Sequence, residues 1–235
     1  IVVVQDHEGD SRIGVYEKTT GKLQWEKARD EITAWSTPYP VTVGDKTQII
    51  INATNRIRSY DLATGDILWE CGGMTTNVIP TPVVGFGNVY CGSGFRGAAL
   101  TAIDLDSKGD VTEAPVWNID RGTPYVATPL LYGQRIYFID GLNSKLSCAD
   151  ALTGKIYYER ESMEGLGRVY ASPVGAGGHV YVPDRDGMVA VLKDDDTFNV
   201  IATNKLDDGF DASPVVIGDV LYLKGNKHLY CIAAS

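Results

Sequence analysis

The side chains of this chain that could recognise a ligand are arginines, aspartates, asparagines and aromatics in short polar segments between apolar runs. The predicted ligand-binding residues are Trp35, Asn77, Arg96, Arg121, Tyr125, Arg168, Tyr170, Asp208 and Asp211. Cationic and aromatic side chains on the loops of a rigid scaffold suit a polar, anionic or sugar-like ligand, or a partner peptide. The alternative interpretation of the same residues is a solvated rim of loops.

The sequence offers little for covalent or metal chemistry. Asp184-Arg185-Asp186-Gly187 begins like a calcium loop but lacks the distal glutamate, which favours an ordinary turn between strands. The three histidines have no zinc-ligand spacing. The sequence shows neither a Ser-His-Asp order nor a phosphate-binding loop. We therefore predict no catalytic residue and no metal ligand.

The four cysteines form no CxxC motif and no adjacent pair. Cys148 and Cys231 stand at equivalent places in two repeats, and equivalent places in different repeats do not touch. We predict that both are buried thiols that behave as small apolar side chains. Cysteine usage leaves the redox compartment undecided.

Charge and hydropathy exclude two classes of partner. The formal net charge is −9 and the pI about 4.8, which argues against a nucleic-acid or anionic-membrane surface. No apolar run approaches the roughly 20 residues of a membrane helix. The first residue is Ile1 rather than Met, and it opens directly in a strand-like run. We interpret the chain as a piece of a longer protein, trimmed at its N-terminus.

A repeated strand-turn-strand motif organises the chain and must position the polar segments. Ser59-Tyr60-Asp61-Leu62-Ala63-Thr64-Gly65-Asp66-Ile67-Leu68-Trp69-Glu70 recurs 44 residues earlier around Gly21 and 89 residues later around Gly154. Glycine supplies the positive φ of such a turn without steric cost. A fixed period of this length is the signature of a repeat fold.

Ser-Pro and Thr-Pro pairs mark the same repeat and predict an all-β propeller. The pairs begin at Thr37, Thr81, Thr128, Ser172 and Ser213, at intervals of 44, 47, 44 and 41 residues. Each precedes an apolar run, a glycine turn and an alternating strand, so each unit reads as four short antiparallel strands, A to D. The predicted whole blades are 33–76, 77–123, 124–167 and 168–210. Residues 1–30 supply strands B, C and D of a first blade, and residues 211–235 supply A, B and C of a last one.

The predicted fold is therefore one domain, 1–235, of about five and a half blades. The third unit departs from the pattern with a swollen turn at 106–113. Trp25, Trp69, Trp117 and Tyr158 stand at corresponding D-strand positions, where we predict that they fill the gaps between blades. The connections from D to A and the turns from B to C gather at one end, the funnel face, where the nine ligand-binding candidates lie.

At these residues the chain resembles the pyrroloquinoline-quinone-like propeller repeat family. Asp61-Leu62-Ala63-Thr64-Gly65-Asp66-Ile67-Leu68-Trp69 and Ser213-Pro214-Val215-Val216-Ile217-Gly218-Asp219 carry the resemblance, which covers essentially the whole chain. The family includes quinoprotein alcohol and glucose dehydrogenases and the outer-membrane assembly lipoprotein of the β-barrel insertion machinery. Such propellers usually have seven or eight blades, so the resemblance implies an N-terminally incomplete propeller. Its exposed strand edges predict that the fragment alone oligomerises or aggregates.

The resemblance is less informative about function than about fold, because the residues of the repeat serve packing and turn formation. The preferred expectation is a non-catalytic binding or protein-interaction scaffold of the cell envelope, with a protein or small polar ligand at the funnel face. It would be periplasmic or extracellular, with a membrane anchor in the missing N-terminal sequence as one option. One alternative is a dehydrogenase that uses pyrroloquinoline quinone and calcium, although the adjacent cysteine pair of many such enzymes is absent. The other alternative is the sensor propeller of a larger signalling protein.

Overall fold

The computed structural model describes residues 1–140 and 143–233, and every regular element in that part of the chain is a β-strand. Contacts divide the chain into two compact units, Ile1–Arg121 and Gly122–Ser235. Each unit contains three sheets in chain order. The absence of helices among the described residues confirms the all-β prediction, whereas a single domain over 1–235 stays a prediction.

The first unit holds sheets one to three. Sheet one consists of β1 (Val2–Gln5), β2 (Arg12–Tyr16) and β3 (Leu23–Ala28). Sheet two contains β4 (Tyr39–Val43), β5 (Lys46–Ile51), β6 (Ile57–Asp61) and β7 (Ile67–Cys71). Sheet three begins with β8 (Val83–Gly85), β9 (Asn88–Ser93) and β10 (Ala99–Asp104). The chain then forms β11 (Gly109–Asp110), which joins sheet two, and returns as β12 (Trp117–Ile119) at the edge of sheet three.

The second unit repeats the same order. Sheet four consists of β13 (Leu130–Tyr132), β14 (Arg135–Asp140), β15 (Lys145–Asp150) and β16 (Ile156–Ser162). Sheet five consists of β17 (Val174–Ala176), β18 (His179–Pro183), β19 (Met188–Lys193) and β20 (Val200–Lys205). Sheet six consists of β21 (Val215–Ile217), β22 (Val220–Lys224) and β23 (Leu229–Ala233). Neighbouring strands within these sheets are antiparallel.

The predicted blades match these sheets with one correction. The segment 106–113 is more than a swollen turn, because β11 within it pairs in parallel with Trp69 and Glu70 of β7. Sheet two therefore has five strands and one parallel pair, rather than four antiparallel strands. The Val111 amide donates to the Glu70 carbonyl at 2.9 Å, which extends this pairing beyond β11.

The repeated motif forms the same hydrogen-bonded turn wherever it occurs complete. At Asp61 the carboxylate accepts from the amides of Ala63 and Thr64 at 2.8 and 3.2 Å. The Thr64 hydroxyl then accepts from the Asp66 amide at 3.2 Å. Gly65 takes a φ of 74° and donates its amide to the Asp61 carbonyl at 2.8 Å. Each residue type of the motif thus satisfies a turn amide or supplies the left-handed backbone.

The acidic and threonine side chains do the same in the other two copies. Glu17 accepts from the Thr19 and Thr20 amides, and Asp150 accepts from the Leu152 and Thr153 amides. A β-bulge follows each of these turns and leaves one extra residue on the outer strand, as at Leu68 between Ile67 and Trp69. The bulge sets the register of the aromatic residue that comes next.

Apolar cores lie between neighbouring sheets, as a propeller requires because one sheet cannot bury both faces alone. One core joins Trp69 of sheet two to Val89 and Ile103 of sheet three, and another joins Tyr158 of sheet four to Val180 of sheet five. Trp69 is fully buried, Trp117 and Tyr158 are buried, and Trp25 is partly buried against Gly65 of the next sheet. The prediction that D-strand aromatics fill the gaps between sheets is confirmed for Trp25, Trp69 and Tyr158. For Trp117 it stays a prediction, because its ring contact with Tyr90 lies within its own sheet.

The cysteine prediction is right for one position and wrong for the other. Cys148 on β15 is buried, whereas Cys231 on β23 is exposed. The difference follows from the sheets, because β15 lies between two strands and β23 lies at the outside of a three-stranded sheet in the described chain. Burial raises the pKa of the Cys148 thiol to about 12, which keeps it protonated and unreactive.

Replacing Gly65 by alanine is expected to destabilise the first unit by at least about 2 kcal/mol, because two costs add. Alanine at a φ of 74° is strained, and a Cβ there would collide with the Trp25 ring, 2.7 Å away. Gly21 is the matched control, because it holds the same turn position at φ 70° and an added methyl there would meet no atom within 4 Å. Urea unfolding of both variants measures the difference. Equal losses for Gly65→Ala and Gly21→Ala would contradict the packing argument.

Candidate functional site

The loops that carry most of the predicted ligand-binding residues are held in pairs by buried carboxylates. In the second unit, Asp208 lies in the connection before sheet six and its side chain is fully buried. It accepts from the amides of Gly209, Lys227 and His228 at 2.8, 3.1 and 3.0 Å. The carboxylate therefore fixes the turn between β22 and β23 to the connection that precedes the sheet.

Asp184 links the corresponding turn and connection of sheet five, but here the carboxylate belongs to the turn rather than to the connection. It lies in the turn between β18 and β19 and is fully buried. Its carboxylate accepts from the Gly167 amide at 2.6 Å, and from Asp186 and Met188 within its own turn at 2.9 and 2.7 Å. The segment 184–187 is thus an ordinary turn between strands, as the missing distal glutamate predicts.

The first unit repeats the arrangement with Glu31. This carboxylate accepts from the Asn55 and Arg56 amides at 2.8 and 3.0 Å, in the turn between β5 and β6. It also accepts from Arg58 Nη1 at 3.0 Å. Burial raises the pKa of Glu31, and the amide and arginine contacts offset only part of that rise. Loops anchored in this way are pre-organised for binding, because little conformational entropy remains to be lost.

The anchored loops of sheets five and six enclose an open cleft of about 500 Å³, here called the polar cleft. It is lined by Gly167, Arg168, Arg185, Asp186, Asp211 and Asn226. Arg185 Nε donates to Asp211 Oδ1 at 2.6 Å, and its guanidinium carbon lies 4.4 Å from the centre of the Tyr170 ring. This stack and ion pair hold the Arg185 side chain in one orientation.

Arg168 is the cation of the polar cleft that is available to a ligand. It is exposed, and its guanidinium has no ion-pair partner among the described residues. Its backbone carbonyl accepts from the Arg185 amide at 2.9 Å, which fixes the base of the side chain beside Arg185. The polar cleft can therefore offer one free guanidinium, one oriented guanidinium, an amide and two carboxylates to a partner.

The structure brings three of the nine predicted residues together at this cleft. Arg168 and Asp211 line it, and Tyr170 supports Arg185 beside it. Asp208 instead anchors a turn with its oxygens, so the structure gives it a structural task. Trp35 belongs to the first unit and is 57 % exposed there.

The other four predicted residues lie outside the polar cleft. Asn77 and Arg96 adopt left-handed backbone with φ of 57° and 55°, and the Arg96 guanidinium carbon lies 5.3 Å from the centre of the Phe95 ring. Arg121 is exposed at the end of the first unit, and Tyr125 is partly buried near the start of the second. A ligand-binding role for these residues stays a prediction.

Sequence reasoning missed two features of the polar cleft. Asn226 was not predicted, although it follows Gly225 in a turn at the position that Arg185 holds one repeat earlier. The sequence signal was the repeat spacing, because 41 residues separate Asn226 from Arg185, as they separate Ser213 from Ser172. The structure shows the equivalence, since the Asn226 amide donates to the Gly209 carbonyl just as the Arg185 amide donates to the Arg168 carbonyl. The stacking of Arg185 on Tyr170 carries no sequence signal, because it depends on side-chain direction across two loops.

Comparison with known proteins gives the chain a family. A family model described as outer membrane protein assembly factor BamB matches residues 1–158, more than half of the chain. The chain belongs to this family. The match confirms the resemblance to pyrroloquinoline-quinone-like propeller repeats, and with it the β-propeller fold class. A search of curated proteins found no match to the chain.

Two solved structures are similar to this BamB-family chain at low sequence identity. BamB from Moraxella catarrhalis is 17 % identical, with 97 % of this chain and 84 % of that chain covered, at a TM-score of 0.49. The computationally designed Ika8 protein is 13 % identical, with 99 % and 71 % covered, at a TM-score of 0.68. At these identities a structural likeness shows the fold alone, and the second match carries that conclusion.

The quinone cofactor that gives these repeats their name does not fit the described residues of this BamB-family chain. The cofactor of quinoprotein dehydrogenases is held through a calcium ion, which needs six to eight oxygen ligands with several carboxylates among them. In residues 1–140 and 143–233, no group of three histidine, cysteine or acidic side chains is placed to hold a metal ion. Asp184 and Asp208, the buried acids near the cleft, already accept several backbone amides.

The anchoring by Asp208 predicts a specific pH dependence of stability. Burial works to raise the pKa of Asp208, but the amides of Gly209, Lys227 and His228 outweigh it and lower the pKa to about 2. A carboxyl whose pKa is lower in the folded state than in the unfolded state stabilises the fold at pH values above its ordinary pKa of 3.8. This stabilisation is lost as the pH falls towards 2. The stability difference between the wild type and Asp208→Asn should therefore be largest near neutral pH and narrow between pH 4 and pH 2.

Unfolding midpoints in urea, measured across this pH range, test the prediction. Asp207→Asn is the matched control, because Asp207 is the exposed neighbour and its carboxylate lies 3.5 Å from Lys227 Nζ in a solvated ion pair. Its stability difference from the wild type should stay small throughout. A difference for Asp208→Asn that is independent of pH would show that the carboxylate charge does not anchor the turn.

Proposed function

We propose that the chain is a non-catalytic interaction scaffold of the cell envelope and that its polar cleft binds a partner protein. The observation that carries the proposal is that two different arginines line the cleft. Arg168 is exposed and has no ion-pair partner among the described residues, and Arg185 is held by Tyr170 and Asp211. Oriented arginine and tyrosine side chains are the residue types that dominate binding energy in protein interfaces.

The chemistry of the cleft suits a peptide surface better than a small apolar ligand. The open cleft is lined by two cations, Arg168 and Arg185, and two anions, Asp186 and Asp211. Mixed charges of this kind select a partner by complementarity and orient it during encounter. Because the loops beneath are anchored by Asp184 and Asp208, the partner meets a surface that is already formed.

The envelope location rests on the family. The matching family model describes an outer membrane protein assembly factor, and its match covers the whole of the first unit and part of the second. No helix in the described part of the chain is long and apolar enough to cross a membrane. A periplasmic or extracellular site of action is therefore part of the proposal.

Site-directed photo-crosslinking in cells tests the proposal directly. A photoreactive amino acid at position 226, which lines the polar cleft and leaves Arg168 and Arg185 in place, should give an adduct with one envelope protein, which mass spectrometry can identify. The same amino acid at Lys22, an exposed turn residue of the first unit, is the control position and should not give that adduct. Tyr170→Ala, which removes the support of Arg185, should weaken the adduct at position 226 by about tenfold, equivalent to roughly 1.4 kcal/mol.

Two results would overturn the proposal. The first is an adduct pattern at position 226 that is indistinguishable from that at position 22. The second is turnover of alcohols or sugars by the full-length protein, with calcium-dependent dye reduction after addition of pyrroloquinoline quinone. The second result would establish the dehydrogenase alternative.

A further inference from the structure

The D strands, which are β3, β7, β12, β16 and β20, differ in how their open edge is protected. An unpaired edge attracts other strands, and proteins blunt such edges with charges, bulges, short length or a covering segment. In this chain β7 is covered by β11, and β12 is three residues long. The edge of β3 carries Glu26 and Lys27, and the edge of β16 carries Glu159, Arg160 and Glu161.

The fourth strand of sheet five, β20, lacks most of this protection. Five of its six residues, Val200-Ile201-Ala202-Thr203-Asn204, are uncharged, and a single lysine ends the strand. Every residue from Ile201 to Lys205 is exposed, and Ile201 is 49 % exposed. Within the described residues, β20 pairs with β19 alone. The strand thus presents an uncharged, β-prone edge.

The register shows that β20 also lacks a large side chain that its counterparts have. Ala202 pairs with Val191 just after the bulge, as Trp25 pairs with Val15, Trp69 with Ser59 and Tyr158 with Cys148. Alanine therefore stands where these three sheets have an aromatic residue. An open groove of about 360 Å³ runs along the strand, lined by Ser162, Glu164, Phe198, Val200, Ile201, Ala202 and Thr203.

The chain itself shows what can be added to a fourth strand. On β7, the added strand β11 supplies a parallel main-chain pairing, an apolar anchor and a charged pair. The anchor is Val111, which packs on the core beside Trp69. The charged pair is Asp110 Oδ2 with Arg56 Nη1 at 2.8 Å. Strand addition with these three elements is a recognised mode of peptide binding.

We propose that the β20 edge binds an extended segment of another protein by strand addition. The segment carries one large apolar side chain for the groove at Ala202 and one lysine or arginine for Glu164. Glu164 selects the basic residue because it is exposed in the groove and has no ion-pair partner among the described residues. This surface is separate from the polar cleft, so the two proposals stand or fall independently.

A synthetic peptide probe tests the edge with the whole chain in solution. The probe is a fluorescent peptide of alternating threonine and valine with one central tryptophan and one lysine, and fluorescence anisotropy measures its binding. We expect saturable binding. Ala202→Trp, which places a bulky side chain at a residue that lines the groove, and Ile201→Lys, which places a charge on the edge, should each weaken binding at least about tenfold.

Two controls make the test specific. Gln24→Lys places the same charge at the equivalent bulge position of β3 and should leave binding unchanged. A probe with a central proline cannot complete the ladder and should not bind. Equal binding by the Ala202→Trp variant and the wild type would overturn the proposal. So would a stable dimer of the chain that Ile201→Lys dissociates, because a second copy would then be the occupant of the edge.

Discussion

Replacing Asp6 by alanine is expected to lower the free energy of unfolding of the first unit by about 3–5 kcal/mol, because it leaves Arg29 charged and buried without its partner. The two side chains are 1 % and 0 % exposed. Arg29 Nε and Nη2 donate to the two Asp6 oxygens at 2.8 and 3.0 Å, in a bidentate pair. Arg29 Nη1 also donates to the Tyr60 hydroxyl of the next sheet at 2.5 Å.

The pKa of Arg29 shows the balance within this pair. Burial lowers the pKa of the guanidinium, but the hydrogen bond from Arg29 to Asp6 and the negative charges of Asp6 and Glu31 outweigh burial and raise it. Arg29 therefore stays charged, and removal of Asp6 cannot be relieved by loss of a proton. The pair ties the turn after β1 to the end of β3 and, through Tyr60, to sheet two.

Urea unfolding of Asp6→Ala and of Arg12→Ala measures the expected contrast. Arg12 and Glu26 form an exposed pair with 4.0 Å between their charged atoms, so Arg12→Ala should cost less than about 1 kcal/mol. A double variant, Asp6→Leu with Arg29→Met, should recover much of the loss, since no charge is then buried. A loss for Asp6→Ala as small as that for Arg12→Ala would contradict the buried-pair argument.

Local interactions explain why the sequence predicts so much of the fold. The turn at Asp61 is closed by hydrogen bonds within six residues, and the residue types that make them recur at a fixed period. The positions of the sheets then follow from the period, and the alternation of each strand follows from its two-residue geometry. Each predicted blade accordingly contains its expected sheet, except that β11 of the blade 77–123 pairs with sheet two.

The features that the sequence did not predict depend on contacts between distant residues. Strand β11 is two residues long and is defined by pairing with β7, 40 residues earlier in the chain, so no local pattern marks it. The exposure of Cys231 depends on which strand lies beside β23, rather than on its own surroundings in sequence. The buried pair of Asp6 and Arg29 spans 23 residues and reads in sequence as two ordinary loop charges.

The sequence likewise predicts part of the candidate site and misses what depends on contacts. Repeat position predicted that Arg168, Tyr170 and Asp211 lie on loops at the same ends of their sheets, and the structure brings these three together. Repeat position could not distinguish an acid that faces a ligand from an acid that anchors a turn, because Asp208 and Asp211 are three residues apart on one connection. Burial and the direction of the carboxylate make that distinction, and both are set by the turn that each acid meets.

Trp69→Ala is expected to lower the free energy of unfolding by about 3–5 kcal/mol, because it leaves a large cavity between sheets two and three. The Trp69 side chain is fully buried and packs with Val89, Cys91 and Ile103. Its Nε1 donates to Gln48 Oε1 at 3.2 Å, and Gln48 Nε2 donates in turn to the Leu105 carbonyl at 2.9 Å. Loss of the indole therefore removes packing and weakens a buried polar chain.

Trp69→Phe and Trp25→Ala separate these contributions. Phenylalanine keeps most of the apolar volume but not the bond to Gln48, so it should cost about 1–3 kcal/mol. Trp25 holds the equivalent position in sheet one but is only partly buried, and its Nε1 donates to the Leu62 carbonyl at 2.8 Å. Trp25→Ala should therefore cost less than Trp69→Ala in the same urea titration. Equal losses at the two positions would mean that the register of the aromatic residue, rather than its burial between two sheets, determines its contribution to stability.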